Sequence, residues 1–261
     1  MPHAAINGQQ IYFEDSGGDG PAVILAHGFL MDHEMFAPQV AALTPQYRVI
    51  TWDERGFGLT EHDGKPFTYW DSAADCLGLL DHLGIDRAVV GGMSQGGFLS
   101  LRVALTAPER VRALILLDTQ AGAEHAEKVE AYRGMIDTWA AVGAVDELAG
   151  VVATIIIDDP VENPRWIAKW QARPKESIIE PGACLLGRDD ITDRLGEITC
   201  PALVVHGTND TAIEMPLAEG LAAGLSGSGP VVPITGAAHA ANLTHPEPVN
   251  AAIVSFLAEL S

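Results

Sequence analysis

Short runs of consecutive apolar residues alternate with stretches in which apolar side chains recur every three or four positions. The two periods predict strands and helices in turn. Ala22–Ala26, Arg48–Trp52, 87–91, Val111–Leu117, 202–205 and 229–234 read as strands. Residues 34–43, 69–83, 95–106 and 247–260 read as helices, the second with the stripe Trp70, Ala73, Ala74, Leu77, Leu80 and Leu83. Ahead of them, Asn7-Gly8 between Ala4-Ala5-Ile6 and Ile11-Tyr12-Phe13 predicts a hairpin over 2–15. Continuously apolar strands alternating with helices imply a mostly parallel sheet covered on both faces.

The stretch 120–190 departs from the alternation. Val129, Tyr132, Ile136 and Trp139 keep helical spacing, and so do Leu148, Val151, Val152, Ile155 and Ile156. Asn163-Pro164 reads as an N-cap followed by proline at the first helical position. Trp166 and Trp170 follow one turn apart. The pattern predicts a helical lid over 120–190, inserted into an α/β core made of 1–119 and 191–261. Ile136, Trp139, Ile156 and Trp166 of the lid, with Ile213 of the core, are the candidate substrate-binding residues. Packing within the lid is the alternative role for the tryptophans.

Composition narrows the functional classes. The 261 residues are 48% hydrophobic, which suits a globular chain with a sizeable core. No apolar run reaches bilayer length, and Met1-Pro2-His3-Ala4 lacks the basic-then-apolar order of a signal peptide. A cytoplasmic enzyme is the expectation. A formal charge of −20 disfavours nucleic acid and anionic membranes as partners. Cys76, Cys184 and Cys200 are too few and too scattered for a disulfide framework or a metal site.

The candidate chemistry lies in Gly92-Met93-Ser94-Gln95-Gly96, between a predicted strand and a predicted helix. The pattern G-x-S-x-G in that setting places a serine on a tight turn with its hydroxyl exposed above the sheet. The flanking glycines relieve crowding. A free hydroxyl is a poor nucleophile and needs a base. Among nine histidines, His239 lies in a loop of small residues between the last strand and the last helix, and His245 is its rival. The acid that orients the imidazole is Asp210, after the 202–205 strand, with Asp118 as the alternative. Two backbone amides, of Gln95 and of Phe29 in His27-Gly28-Phe29, are the candidate oxyanion donors. His27 reads as a brace for that loop. No metal or organic cofactor is expected.

Four blocks carry a family resemblance: His27-Gly28-Phe29, Asp53-Glu54-Arg55-Gly56-Phe57-Gly58-Leu59-Thr60, Gly92-Met93-Ser94-Gln95-Gly96-Gly97, and Asp210 with His239. Together they resemble the α/β-hydrolases of the esterase, lactonase and perhydrolase type. The resemblance implies an eight-stranded, mostly parallel sheet and a Ser-His-Asp acyl-enzyme mechanism on a small-molecule ester or lactone. It makes Arg55 structural. The tail Ala238-His239-Ala240-Ala241-Asn242, followed by Pro246-Glu247, is similar to bacterial 3-oxoadipate enol-lactonases. Haloalkane dehalogenases and epoxide hydrolases would carry aspartate in place of Ser94. Cofactor-free haloperoxidases and C–C bond hydrolases share the serine, and a slow-turnover receptor on the same fold is the alternative outside enzymes. Arg133, Arg165, Lys169 and Arg173 are the obvious cationic partners that the lid offers an anionic substrate. The lid tryptophans and the run Ile155-Ile156-Ile157 predict an apolar pocket, so the expected substrate is neutral and of medium size. Self-association into a homo-oligomer stays open.

Overall fold

Asn7 and Gly8 take φ of 48° and 82°, the left-handed pair that a two-residue hairpin turn needs. β1 (His3–Ile6) therefore folds back on β2 (Gln9–Asp15), with Ile6 opposite Gln9. Residue 2 of the expected hairpin lies outside the described residues, which in this computed structural model are 3–44, 46–61 and 63–260.

The apolar runs become β3 (Ala22–Ala26), β4 (Arg48–Trp52), β5 (Ala88–Met93), β6 (Val111–Leu117) and β7 (Ala202–Gly207). The run expected over 229–234 pairs only as β8 (Val232–Ile234). Pro230, without an N–H, cannot donate to a ladder. The eight-stranded sheet has the order β1-β2-β4-β3-β5-β6-β7-β8. β2 meets both β1 and β4 antiparallel, and every other pairing is parallel. In the central register Leu25 lies opposite Gly91, Gly91 opposite Ile115, and Ile115 opposite Leu203.

Strand side chains alternate between two cores. Ile24, Val90, Leu114 and Val204 face one core, and Leu25, Val89, Ile115 and Val205 face the other. The helices divide accordingly. α1 (Ala37–Leu43) follows a short 3-10 turn over His33–Phe36, so the helix expected over 34–43 forms in two pieces, with Pro38 in the first turn of the second. α2 (Tyr69–His82) starts at a Thr68–Asp71 capping box, and α3 (Gln95–Thr106) follows β5.

Between β6 and β7 stand α4 (Ala126–Val142), α5 (Asp146–Ile156), α6 (Glu162–Gln171) and α7 (Ile179–Leu186). The start of α6 differs from the sequence reading. Its N-cap is Val161, not Asn163, and just ahead of it Asp159 Oδ1 accepts the amides of Val161 and Glu162 at 2.8 and 2.9 Å. Pro164 falls inside the first turn, where its missing N–H has no intrahelical partner to lose. α8 (Met215–Gly224), α9 (Ala241–Thr244) and α10 (Pro246–Glu259) complete the chain. Residues of α2, α3 and α8 join the first core, those of α1 and α10 the second. Among the described residues no helix is long and apolar enough to cross a membrane.

Candidate active site

Parallel strands send their following loops to one edge of the sheet, where crevices form beyond the strand C-termini. β5 ends at Met93 and α3 begins at Gln95, so a single residue, Ser94, makes the whole connection. Its φ of 53° and ψ of −113° are costly for a residue with a Cβ. The surroundings leave no alternative. The Ser94 amide donates to Leu117 O at 2.9 Å, while its carbonyl accepts the Gly97 amide at 2.9 Å and the Thr119 hydroxyl at 2.8 Å. A Cβ on Gly96 would overlap the Ala26 carbonyl, and one on Gly92 would overlap that carbonyl and the Gly96 backbone. The glycines flanking the serine are therefore demanded by the packing of β3 against the turn.

Asp210 sits in the loop after β7. Its Oδ1 accepts the amides of Ala212 and Ile213, both at 2.9 Å. Its Oδ2 lies 2.7 Å from His239 Nδ1. Burial alone would raise its pKa, but the facing imidazole and the loop amides outweigh it and hold the carboxyl below its ordinary range. With Nδ1–H donated to an ionised carboxylate, Nε2 of His239 is left as an acceptor. The His239 loop reaches Asp210 because residue 207 is glycine, where a Cβ would overlap the carbonyls of Ala237 and Ala238. α5 secures the same loop, its Ile156 carbonyl accepting the Ala240 amide at 2.7 Å.

The rival residues are engaged elsewhere. Asp118 (φ 47°) accepts the Gly207 amide at 2.7 Å on Oδ1 and is fully buried behind Asp210. Burial, reinforced by the Asp210 charge, pushes its pKa well up. Between the two carboxylates lies His206, which burial holds neutral. Its Nε2 donates to Ile213 O at 2.8 Å and stands 3.3 Å from Asp210 Oδ2. His245 caps α10 and bonds through Nδ1 to Thr244 Oγ1 at 2.9 Å.

Ser94 and His239 line one cavity of about 290 Å3, together with Phe29, Ile156 and Ile213 from the sequence reading. Among the described residues no hydrogen bond joins Ser94 to His239, a link that in unliganded enzymes often tightens only with substrate. Ile136, Trp139 and Trp166 lie away from this cavity. Trp139 packs on Trp170 at 6.0 Å between ring centroids, Trp166 bonds Glu162 at 3.2 Å, and Ile136 lies against Gly182. Along α4 the cavity takes Ala131, Tyr132 and Met135 instead. Ile136 is turned by about 100° around α4 from Met135, whereas Trp139 keeps nearly the azimuth of Tyr132 and Met135 but lies one turn further along the helix, beyond the cavity.

Several further residues brace or line the site, in roles that the sequence reading did not assign to them. Trp170 donates Nε1–H to Leu30 O at 2.6 Å, pinning the loop that carries Phe29. Arg173 holds the Gly56 and Gly58 carbonyls, and Lys169 pairs with Asp32 at 2.6 Å. Glu124 and Arg188 line the cavity as a buried ion pair. They come from the two ends of the inserted segment, and nothing in the local pattern marks either.

The Gln95 amide is the first of α3, where no intrahelical acceptor exists. Its side chain is held by Glu54 Oε1 at 2.9 Å and the Tyr69 hydroxyl at 3.2 Å. Burial raises Glu54 to about 8. His27 bonds Gly28 O through Nδ1 at 2.8 Å and accepts the Glu54 amide on Nε2 at 3.0 Å, bracing the loop. Among the described residues two carboxylate–imidazole clusters, Asp32-His33-Asp53 and Asp118-His206-Asp210, gather groups able to ligate a metal. Their facing atoms are already committed within the protein, Asp53 Oδ1 to His33 and Asp210 Oδ2 to His239.

Comparisons with known proteins bear on the fold and the family. A family model described as the alpha/beta hydrolase fold matches residues 21–149. A Rhizobium rhizogenes protein provisionally named a carbamate hydrolase is 30% identical over 262 residues, covering 95% of this chain and 97% of its own. The enol-lactonase of Burkholderia xenovorans superposes with a TM-score of 0.91 at 28% identity, over 98% of this chain and 100% of that one. A thermophilic esterase from Thermogutta terrifontis gives 0.89 at 29% identity, over 99% and 97%.

Proposed function

The chain belongs to the α/β-hydrolase fold family, and from that premise we propose that it cleaves carboxylic esters or lactones through an acyl-enzyme on Ser94. The observation that carries this reading is the 2.7 Å His239–Asp210 contact, opening on the same cavity as the Ser94 hydroxyl. His239 Nε2 takes the Ser94 proton as Oγ bonds to the substrate carbonyl carbon. The carbonyl electron pair moves to oxygen, where the amides of Gln95 and Phe29 receive it. His239 then gives the proton to the leaving alkoxide as the C–O bond breaks. Water, deprotonated by the same nitrogen, attacks the acyl-enzyme, and Ser94 leaves with the proton restored. Asp210 stays ionised throughout and stabilises the imidazolium.

The α4–α7 segment serves as a lid over 120–190. α5 supplies the apolar wall, with Val152 and Ile156 over the serine, while Trp170 ties α6 to the oxyanion loop. Lactone opening uses the same steps with the leaving alkoxide still tethered, and the likeness to the Burkholderia enol-lactonase favours it as a second reading.

The test is Ser94→Ala, assayed on p-nitrophenyl hexanoate and with a fluorophosphonate label. Activity should fall by at least about a thousandfold and labelling should vanish. A variant that still turns over the ester at the parent rate refutes the assignment. A parent protein that labels at Ser94 yet completes only a few turnovers would instead be a receptor.

A further inference from the structure

The apolar cavity holds one ion pair. Arg188 and Glu124 both line it, their side chains 1% and 5% exposed, with Nη2 3.1 Å from Oε2. The guanidinium also donates from Nε to Gly122 O and from Nη1 to Leu185 O, each at 3.1 Å, and lies 4.6 Å from the Phe98 ring centroid. Arg188 is therefore held in place without Glu124, but its charge is neutralised by Glu124. Among the described residues no other Lys or Arg lines the cavity. The cations of the inserted segment named in the sequence reading lie elsewhere, Arg165 and Lys169 bridging to Glu34 and Arg173 to the Gly56 and Gly58 carbonyls.

We propose that Glu124 is a charge filter, selecting esters and lactones whose acyl portion is uncharged and rejecting those that carry a carboxylate. The inference rests on the serine-hydrolase reading above and names its substrate class. A carboxylate entering these walls loses its hydration, which is costly unless a charge partner replaces the water. The one cation available is already paired, and the Glu124 carboxylate beside it repels a second anion. The net charge of −20 acts in the same direction at longer range. Without the Glu124 charge, Arg188 would present a charge-assisted donor into the cavity, which a substrate carboxylate would satisfy.

The experiment compares p-nitrophenyl hexanoate with the p-nitrophenyl monoester of glutaric acid, in which a carboxylate replaces the terminal ethyl group. The parent should favour the hexanoate by at least about tenfold in kcat/KM. Glu124→Gln should narrow that ratio by about tenfold, and Glu124→Gln with Arg188→Met should widen it again. Parity in the parent, which needs no variant to fold, overturns the proposal. So does an unchanged ratio in a Glu124→Gln protein with native circular dichroism. Calorimetry with glutarate reads the filter without turnover: Ser94→Ala/Glu124→Gln should bind it about tenfold more tightly than Ser94→Ala. If no ester is cleaved but this gain appears, the hydrolase reading falls and the filter stands. If esters are cleaved and neither ratio nor affinity moves, only the filter falls.

Discussion

Replacing Asp210 with asparagine should stop the reaction while leaving the fold in place. The side chain keeps its shape, and one oxygen can still accept the Ala212 and Ile213 amides that fix its orientation. The new NH2 group is thereby directed at His239 Nδ1, where the carboxylate Oδ2 now accepts at 2.7 Å. Two donors cannot share that contact, so the imidazole must move its proton to Nε2. The nitrogen facing Ser94 then has no lone pair to take the serine proton, and the charge that would stabilise an imidazolium is gone. The expected loss in kcat is about 10³–10⁴, or about 4–5 kcal/mol of transition-state stabilisation at 1.36 kcal/mol per decade. Thermal unfolding should shift by only a few degrees, because the loop amides remain bonded.

Asp118→Asn is the matched control. Burial raises the Asp118 pKa in the folded chain, so the folded state keeps a proton that the unfolded state releases. Its contribution to stability therefore falls as pH rises above the unfolded value of about 4. Asparagine mimics the protonated form and should be neutral or stabilising at pH 7, with kcat within a few-fold of the parent. The assay is p-nitrophenyl hexanoate hydrolysis from pH 6 to 9, with unfolding followed on the same samples. An Asp210→Asn enzyme that retains a tenth of its kcat would sink the reasoning, as would Asp118→Asn falling equally far.

Two further outcomes test the packing. Trp166 is fully buried away from the cavity, so Trp166→Ala should cost about 3–5 kcal/mol and lower Tm by roughly 10 °C, without changing the ratio of rates on short and long acyl esters. A changed ratio at unaltered Tm would put the ring against substrate. Glu54, pushed by burial to about 8, stays protonated at pH 7 while the unfolded chain ionises it, so stability declines as pH rises from about 4 to 8. Glu54→Gln should add up to roughly 3 kcal/mol at pH 7 and nothing near pH 4; equal Tm gains at both pH values would contradict the assignment.

The local pattern carried most of the architecture. Strand period, the Asn7-Gly8 turn and the glycines around Ser94 depend on neighbours in sequence, and each formed where its local chemistry demanded, except that the 229–234 run pairs only over Val232–Ile234. The same holds for the serine turn and for the order of Asp210 and His239, since each ends or follows an element that could be read by itself. What only the tertiary structure decided is where the inserted helices point. Periodicity identifies an apolar face but not what that face meets, so Ile136 and Trp139 were indistinguishable from Tyr132 and Met135 until α4 was packed. Arg188 and Glu124 are 64 positions apart, and their pairing exists only once β6 and β7 lie side by side and bring the two ends of the intervening segment together. Chain proximity encodes turns and caps; the charge of a cavity wall comes from contacts between distant segments, which a reading along the chain does not reach.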